Sequence, residues 1–240
     1  LTNVYGTQNV IECAMLNKVK KVVDVSTDKA VEAYNLYGIT KACGEKLIIN
    51  ANQNYGSSTT FMCIRGGNVI ATAGSVIPLF AEQIRSRNRI TVTDPAMTRF
   101  LMSTKEAIGL VFQAFEQARG GEVFVMKMPA ATLEDIARSM MALVGNRRTR
   151  METIGVRPGE KKHEVLVSRN EIALTRDMGN GYFVILPHYA SEKLQKAYAA
   201  FSVPALHEFS SQNTAQLGVN DLTRLLKKER WLFSTKSSHT

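Results

Sequence analysis

The chain has 240 residues, 45% hydrophobic and 21% charged, with 30 Lys and Arg against 21 Asp and Glu and a formal net charge of +9. These are ordinary globular proportions, enough for one sizeable core or a core with a smaller lobe attached. Cys13, Cys43 and Cys63 show no C-x-x-C spacing, and His163, His188, His207 and His239 are scattered, so neither a disulfide framework nor a metal site is expected.

That cysteine usage suits a reducing compartment, the cytoplasm. No apolar run approaches the ~20 residues that span a bilayer, and no membrane partner is expected. The basic residues fall into small groups, namely Lys18, Lys20 and Lys21, then Arg147, Arg148 and Arg150, then Lys227, Lys228 and Arg230. Aromatic residues are not interleaved with them, so they read as solvated faces rather than a nucleic-acid platform. Some of this charge would also serve a small polyanion such as a nucleotide diphosphate. The chain opens at Leu1 in what reads as mid-domain sequence, as expected of a fragment, and a homo-oligomer is expected.

In chain order, Val4, Val10, Ile11, Ala14 and Met15 recur at helical spacing, which predicts an amphipathic helix over 3–17. The β-branched run 19–25 predicts a strand, followed by a helix over 35–52 and a strand over 59–64. Helices are expected over 76–87 and 104–119. Gly120-Gly121 marks a turn before a strand at 122–126, and Thr132 is a good N-cap for a helix running to 144, with Asp135 in its first turn. The irregular segments 65–78, 88–100 and 155–164 would build a smaller lobe, with a helix beginning at Lys161. A late helix is expected over 220–228, capped by Asn220. Alternating helix and strand is the signature of an α/β, doubly wound parallel sheet of the Rossmann type. The expected organisation is the C-terminal part of a dinucleotide-binding domain over 1–130, with 70–100 contributing to a substrate lobe, and mainly that lobe and a tail over 131–240.

A dinucleotide-binding domain opens with a strand, a Gly-rich turn and a helix, so that backbone N–H groups meet the pyrophosphate. No G-x-G-x-x-G or G-x-x-G-x-x-G spacing occurs here.

The chemistry-bearing segment is Ser26-Thr27-Asp28-Lys29, followed by Tyr37-Gly38-Ile39-Thr40-Lys41. Residues just past a strand's C-terminal end stand where open α/β sheets place their sites. Tyr37 and Lys41 are four apart on a helix and share a face. An ammonium beside a phenol favours the phenolate and makes a proton acceptor for a sugar hydroxyl. The Thr27 hydroxyl can hold the same oxygen. Taken alone, Y-x-x-x-K is also the pattern of a half-buried Tyr with a solvated Lys, and Asp28-Lys29 that of a turn ion pair.

The segment STDKAVEAYNLYGITKACGEKL closely resembles the STDKA…NLYG-x-TK segment of the UDP-N-acetylglucosamine 4,6-dehydratases, especially the inverting kind, in the polysaccharide biosynthesis protein family of extended short-chain dehydrogenases/reductases. The resemblance continues through GGNVIATAGSVIPLF, ITVTDPAMTRFLMS, GGEVFVMKMP and IGVRPGEKKHEVL. It implies NADP as cofactor, with NAD as the alternative, and a UDP-sugar substrate. It implies that Tyr37 and Lys41 are the reductase pair, that Thr27 is their hydroxyl partner, and that Asp28 and Lys29 are the acid and base of water elimination. Ser26, Tyr37 and Lys41 would meet the cofactor. Asn68, Arg99, Arg157 and Glu160 would grip the sugar diphosphate and ribose, with Arg99 and Arg157 converging on one pocket. Three positions depart from the family pattern: Gly67 replaces an aromatic, Ala33-Tyr34 replaces a Pro-containing turn, and Asp24 interrupts an apolar strand and needs a partner. A 4- or 5-epimerase on the same scaffold and a non-catalytic chain that only binds sugar nucleotide are the rival readings.

Overall fold

The computed structural model describes residues 2–54, 58–70, 72 and 74–229, so Arg230 and His239 lie outside the described residues. A π-helical turn, Thr2–Gly6, leads into α1 (Thr7–Leu16), β1 (Lys21–Thr27), a 3-10 turn at Asp28–Ala30, α2 (Leu36–Asn54) and β2 (Thr60–Gly66). Next come β3 (Asn68–Val69), α3 (Val76–Arg87), β4 (Arg89–Val92), β5 (Thr98–Met102), α4 (Thr104–Gln117), β6 (Val123–Met126), β7 (Ala130–Thr132), α5 (Leu133–Val144) and β8 (Arg150–Thr153). β9 (Val165–Val167), a 3-10 turn at Ile172–Leu174, β10 (Thr175–Asp177), β11 (Tyr182–Ile185), α6 (Glu192–Tyr198), β12 (Phe209–Ser210) and α7 (Val219–Lys228) follow.

The chain divides into two units. The first comprises residues 1–67, 105–127 and 165–210, and its frame is a five-stranded sheet in the order β1-β2-β6-β11-β10. β1 pairs in parallel with β2 from Lys21↔Thr60 to Thr27↔Gly66, and β6 continues the parallel set. β11 and β10 add antiparallel strands at the far side. Central strands covered on both faces are apolar throughout. Accordingly, Phe61, Met62, Cys63, Ile64, Val123, Phe124 and Val125 are all buried. β1 takes the end of this order, and its residues are mostly half-buried.

The second unit comprises residues 68–104, 128–164 and 211–240. It holds a three-stranded sheet, β3-β5-β7, and a parallel β4–β8 pair. Its core joins α3, α5 and α7 through Ile77, Phe80, Ile84, Ile136, Met140, Leu222 and Leu226.

The chain departs from the expected elements at particular points. The segment 165–210, expected in the second part, supplies β10 and β11 to the first sheet. No helix begins at Lys161, because β5 and Ser211 claim that backbone: Thr98 N–H donates to Lys162 O at 3.0 Å, and Glu164 N–H donates to Ser211 Oγ at 2.9 Å. The helix expected to reach 119 stops at Gln117, where the Arg119 and Gly120 N–H groups turn to the buried Glu122 carboxylate at 2.7 and 2.6 Å. α7 begins at Val219 with Gly218 as its N-cap, and no side chain, Asn220 included, caps it. Thr132 does cap α5, accepting from Asp135 N–H at 3.0 Å.

Candidate active site

At the C-terminal end of β1, the Thr27 backbone is extended and its Oγ1 accepts from Lys29 N–H at 3.4 Å, which closes the 3-10 turn. The same hydroxyl donates to Asp28 Oδ1 at 2.9 Å, and Lys29 Nζ donates to that oxygen at 3.0 Å. Asp28 is fully buried, while the Lys29 side chain keeps 37% exposure. Asp28 Oδ2 and Ser26 Oγ are buried with no hydrogen-bond partner. An oxygen left so inside a protein costs free energy. Thr27, Asp28 and Lys29 thus form one hydrogen-bonded set, with a carboxylate and an ammonium in direct contact.

α2 is started by Asn35, whose Oδ1 accepts from Gly38 N–H at 2.8 Å. Its first turn lies directly on the 3-10 turn. A Cβ at Gly38 would stand 2.2 Å from Lys29 O and 2.9 Å from Ala33 Cβ, so only glycine permits this approach. The close seating puts the first turn of α2, which carries Tyr37, against the turn that carries Lys29. Tyr37 is 52% exposed. One helical turn on, Lys41 Nζ donates to Val25 O at 2.8 Å and stands 3.9 Å from Asp24 Oδ1. The carboxylate that the sequence left in need of a partner therefore has one. Burial pushes the Asp24 pKa up, and Glu45 adds to this; Lys41 and a contact from the Cys63 thiol oppose it.

Deeper in the same unit, Arg65 in β2 spends all five of its N–H donors. Two go to Glu45 of α2 (Nε to Oε2 at 2.9 Å, Nη2 to Oε1 at 2.5 Å). Two go to Glu171 (Nη1 to Oε2 at 2.9 Å, Nη2 to Oε1 at 2.7 Å) and one to Leu166 O at 3.0 Å. Glu45 follows Lys41 by four residues on α2, so this fork anchors the helix one turn beyond the Tyr37–Lys41 pair. The motif reading did not find Arg65, Glu45 or Asn35. An Asn three residues ahead of Gly38 was the legible signal for the cap; Glu171 lies 106 residues from Arg65 and left none.

The expected substrate grips lie in the second unit. Asn68 stands in β3 with a buried, unpartnered Oδ1, and Glu160 carries a buried, unpartnered Oε2. Arg157 is exposed and its carbonyl accepts from Glu160 N–H at 3.1 Å. Arg99 in β5 is engaged by the protein: Nη1 donates to Thr98 O at 2.8 Å and Lys162 O at 3.3 Å, and Nε stands 3.8 Å from Glu164 Oε1. Through Lys162, Arg99 is tied to the segment that carries Arg157 and Glu160.

For a nicotinamide cofactor the donor set is partial. A half-exposed phenol and an ammonium one turn away suit the ribose and nicotinamide end, whereas Ser26 is turned inward, with 3% exposure. The Gly-rich pyrophosphate cradle does not occur in these residues.

Residues 1–186 match the family model described as polysaccharide biosynthesis protein. The chain belongs to that family. Among its relatives, a protein named UDP-glucose 4-epimerase from Rickettsia bellii (strain OSU 85-389) is 40% identical over 230 residues, 94% of this chain and 66% of that protein. The chain therefore spans slightly less than two thirds of the length of the curated relatives it matches. The X-ray structure of Pen from Bacillus thuringiensis is 37% identical with a TM-score of 0.86, covering 95% of this chain and 69% of Pen. A dTDP-glucose 4,6-dehydratase from Bacillus anthracis str. Ames, solved in complex with NAD, has 14% identity and a TM-score of 0.60, covering 96% of this chain and 69% of that one. At that identity the likeness speaks for the fold alone, an α/β fold built on a parallel-stranded sheet. Among the described residues, no helix is long and apolar enough to cross a membrane.

Proposed function

We propose that this family member is part of a nucleotide-sugar 4,6-dehydratase acting on UDP-N-acetylglucosamine, with NADP as cofactor and NAD as the alternative, in the reducing cytoplasm. The observation that carries the reading is the Thr27–Asp28–Lys29 set, in which an amine and a carboxyl share a hydrogen bond beside the first turn of α2.

Elimination of water needs a base at C5 and an acid at the C6 hydroxyl. Moving one proton along the 3.0 Å bond from Lys29 to Asp28 yields an amine and a carboxylic acid, one group of each kind, with no change in total charge. A sugar that excludes water favours this neutral form, because charges are costly in a dry site. Lys29 then takes the C5 proton and Asp28 protonates the departing C6 hydroxyl. Tyr37, polarised by Lys41, takes the C4 hydroxyl proton beforehand, and Thr27 holds that oxygen. Tyr37 and Lys41 would hold a nicotinamide cofactor, which would supply the hydride acceptor and donor. Arg157, Glu160 and Asn68 are proposed to hold the diphosphate and ribose, with support from their exposed guanidinium and unpartnered oxygens. Arg99 joins them once its carbonyl contacts yield.

The name of the Rickettsia relatives favours a second reading, a 4-epimerase that uses only Tyr37, Lys41 and Thr27. Incubation of the intact protein with UDP-N-acetylglucosamine in deuterated water separates the two. The dehydratase yields a dehydrated 4-keto product carrying deuterium at C5; an isomer of unchanged mass with no deuterium at C5 would overturn the dehydratase in favour of the epimerase.

A further inference from the structure

His163 has no part in the chemistry above. We propose that it is a further residue of the diphosphate grip, its Nε2 donating to a phosphate oxygen of the UDP-sugar while the buried hydroxyls of Thr98 and Ser211 hold the ring. This rests on reading Arg99, Arg157 and Glu160 as that grip.

All of these residues lie in the second unit. Thr98 and His163 form an isolated parallel bridge, and Thr98 Oγ1 stands 2.8 Å from His163 Nδ1. The carbonyl of Lys162, one residue ahead, accepts from Thr98 N–H at 3.0 Å and from Arg99 Nη1 at 3.3 Å. His163 is thus seated on β5 beside Arg99. The ring is half-buried, and among the described residues its Nε2 makes no hydrogen bond. Behind the ring, Thr98 Oγ1 lies 2.6 Å from Ser211 Oγ, which accepts from Glu164 N–H at 2.9 Å and stands 3.2 Å from Thr98 O. This pair suits either charge state of the imidazole. With neutral His163, Ser211 donates to Thr98 and Thr98 donates to Nδ1, which leaves the proton on Nε2. With charged His163, Nδ1–H donates to Thr98, Thr98 donates to Ser211, and Ser211 turns its proton to Thr98 O. In both states Nε2–H is a donor.

The charged groups facing His163 are Lys162 from its own segment, Arg99 from β5 and Asp94 from the turn ahead of β5; Thr98 and Ser211 do not titrate there. Burial pushes the imidazole pKa below its ordinary 6.5, Lys162 and Arg99 push it the same way, and Asp94 opposes them. A sugar diphosphate is a diester that stays doubly negative across this pH range. Placed against Lys162 and Arg99, it cancels the charges that hold His163 neutral, so the pKa rises on binding. Linkage is reciprocal: the sugar nucleotide binds more tightly to charged His163, and affinity increases as pH falls through the interval between the free and bound pKa values. A histidine that merely ties β5 to its neighbour would show neither effect.

The test titrates the intact protein labelled with 13Cε1-histidine, with and without saturating UDP-N-acetylglucosamine, the His163 resonance being assigned through bonds from its neighbours. Turnover does not disturb the readout, because the products keep the diphosphate. The His163 pKa is expected to rise by about 1 unit on binding, the size of a charge acting over a few ångströms in a partly solvated site. Calorimetry should then find binding about tenfold tighter below both pKa values than above them. In His163→Gln, which keeps a donor but takes no charge, that pH dependence should vanish; His163→Asn is the second variant, with near-ultraviolet circular dichroism to verify folding. An unmoved imidazole in the bound protein, or a pH dependence that survives in a folded variant, overturns the proposal; if neither variant folds, the wild-type imidazole decides alone. Arg157→Gln separates this from the grip itself. Binding weakened by Arg157→Gln beside an unmoved imidazole leaves the grip and removes His163. A raised imidazole with affinity indifferent to Arg157→Gln removes Arg157 and keeps His163, and no binding at all overturns both.

Discussion

Glu171→Gln is the most informative perturbation of the Arg65 fork. Burial raises the carboxyl of Glu171, but the Arg65 hydrogen bonds and charge, with help from Ser168, outweigh it and hold the pKa at about 2 against an ordinary 4.5. The side chain is 15% exposed, so solvent screens little of this. A depression of about 2.5 units corresponds to about 3 kcal/mol of folding stability. The folded pKa lies below the unfolded one, so the contribution is complete above pH 4.5 and is lost as pH falls towards 2. Linkage leaves about 1.4 kcal/mol of it at pH 3. Glutamine keeps the shape and removes the charge. The expected result is a urea midpoint at pH 7 lowered by about 1 M, for a slope near 3 kcal/mol/M, with the gap to wild type less than half as large at pH 3. Equal midpoints at pH 7, or a gap that persists undiminished at pH 3, would refute the assignment of Glu171 as an ionised partner of Arg65.

Gly38→Ala should lower stability by about 2 kcal/mol, because the added methyl meets the Lys29 carbonyl at 2.2 Å and must push α2 off the turn; thermal denaturation reads the loss, and an unchanged midpoint would contradict the close approach. Tyr37→Phe in the intact protein should slow the first oxidation by about 10²–10⁴-fold, measured as single-turnover absorbance of the reduced nicotinamide. Lys29→Ala should spare that absorbance change and abolish solvent deuterium uptake at C5; full uptake would reduce Lys29 to a turn residue. Asp28→Asn should likewise spare oxidation while slowing loss of the C6 hydroxyl, since an amide does not donate a proton as an acid does; dehydration at the wild-type rate would remove Asp28 from the elimination.

The first sheet was legible where one local signal sufficed. The run 19–25 carries β-branched residues on both faces, and β1 forms within two residues of it. α3 runs over the very residues that its apolar spacing marked out. The candidate catalytic segment could be gathered from sequence because its members stand within sixteen residues of one another, and a strand end, a turn and a helix start bring them together. What escaped depends on distant partners. β9 to β12 are two to four residues long, too short for a periodic pattern, and they exist because β6 and each other supply the hydrogen bonds. The residues from Lys161 look like a helix start but are held open by Thr98 and Ser211, which lie far away in sequence. Arg65 falls in a stretch expected to be irregular, yet it belongs to β2, where Glu45 and Glu171 reach it from opposite directions along the chain.

The threading of the two units has a consequence for how the protein is made. The first unit is built from residues 1–67, 105–127 and 165–210, interleaved with the stretches that form the second. A ribosome that has released β1, β2 and β6 has still to deliver β10 and β11, roughly 50 residues later, which at 5–20 residues per second is several seconds of waiting. During that interval the open flank of β6 is an unpaired edge, the kind of surface on which nascent chains mispair. No single cut in the gene releases either unit whole, and circular permutation leaves the pieces interleaved, so a free-standing half would have to be assembled by splicing its three pieces with short linkers.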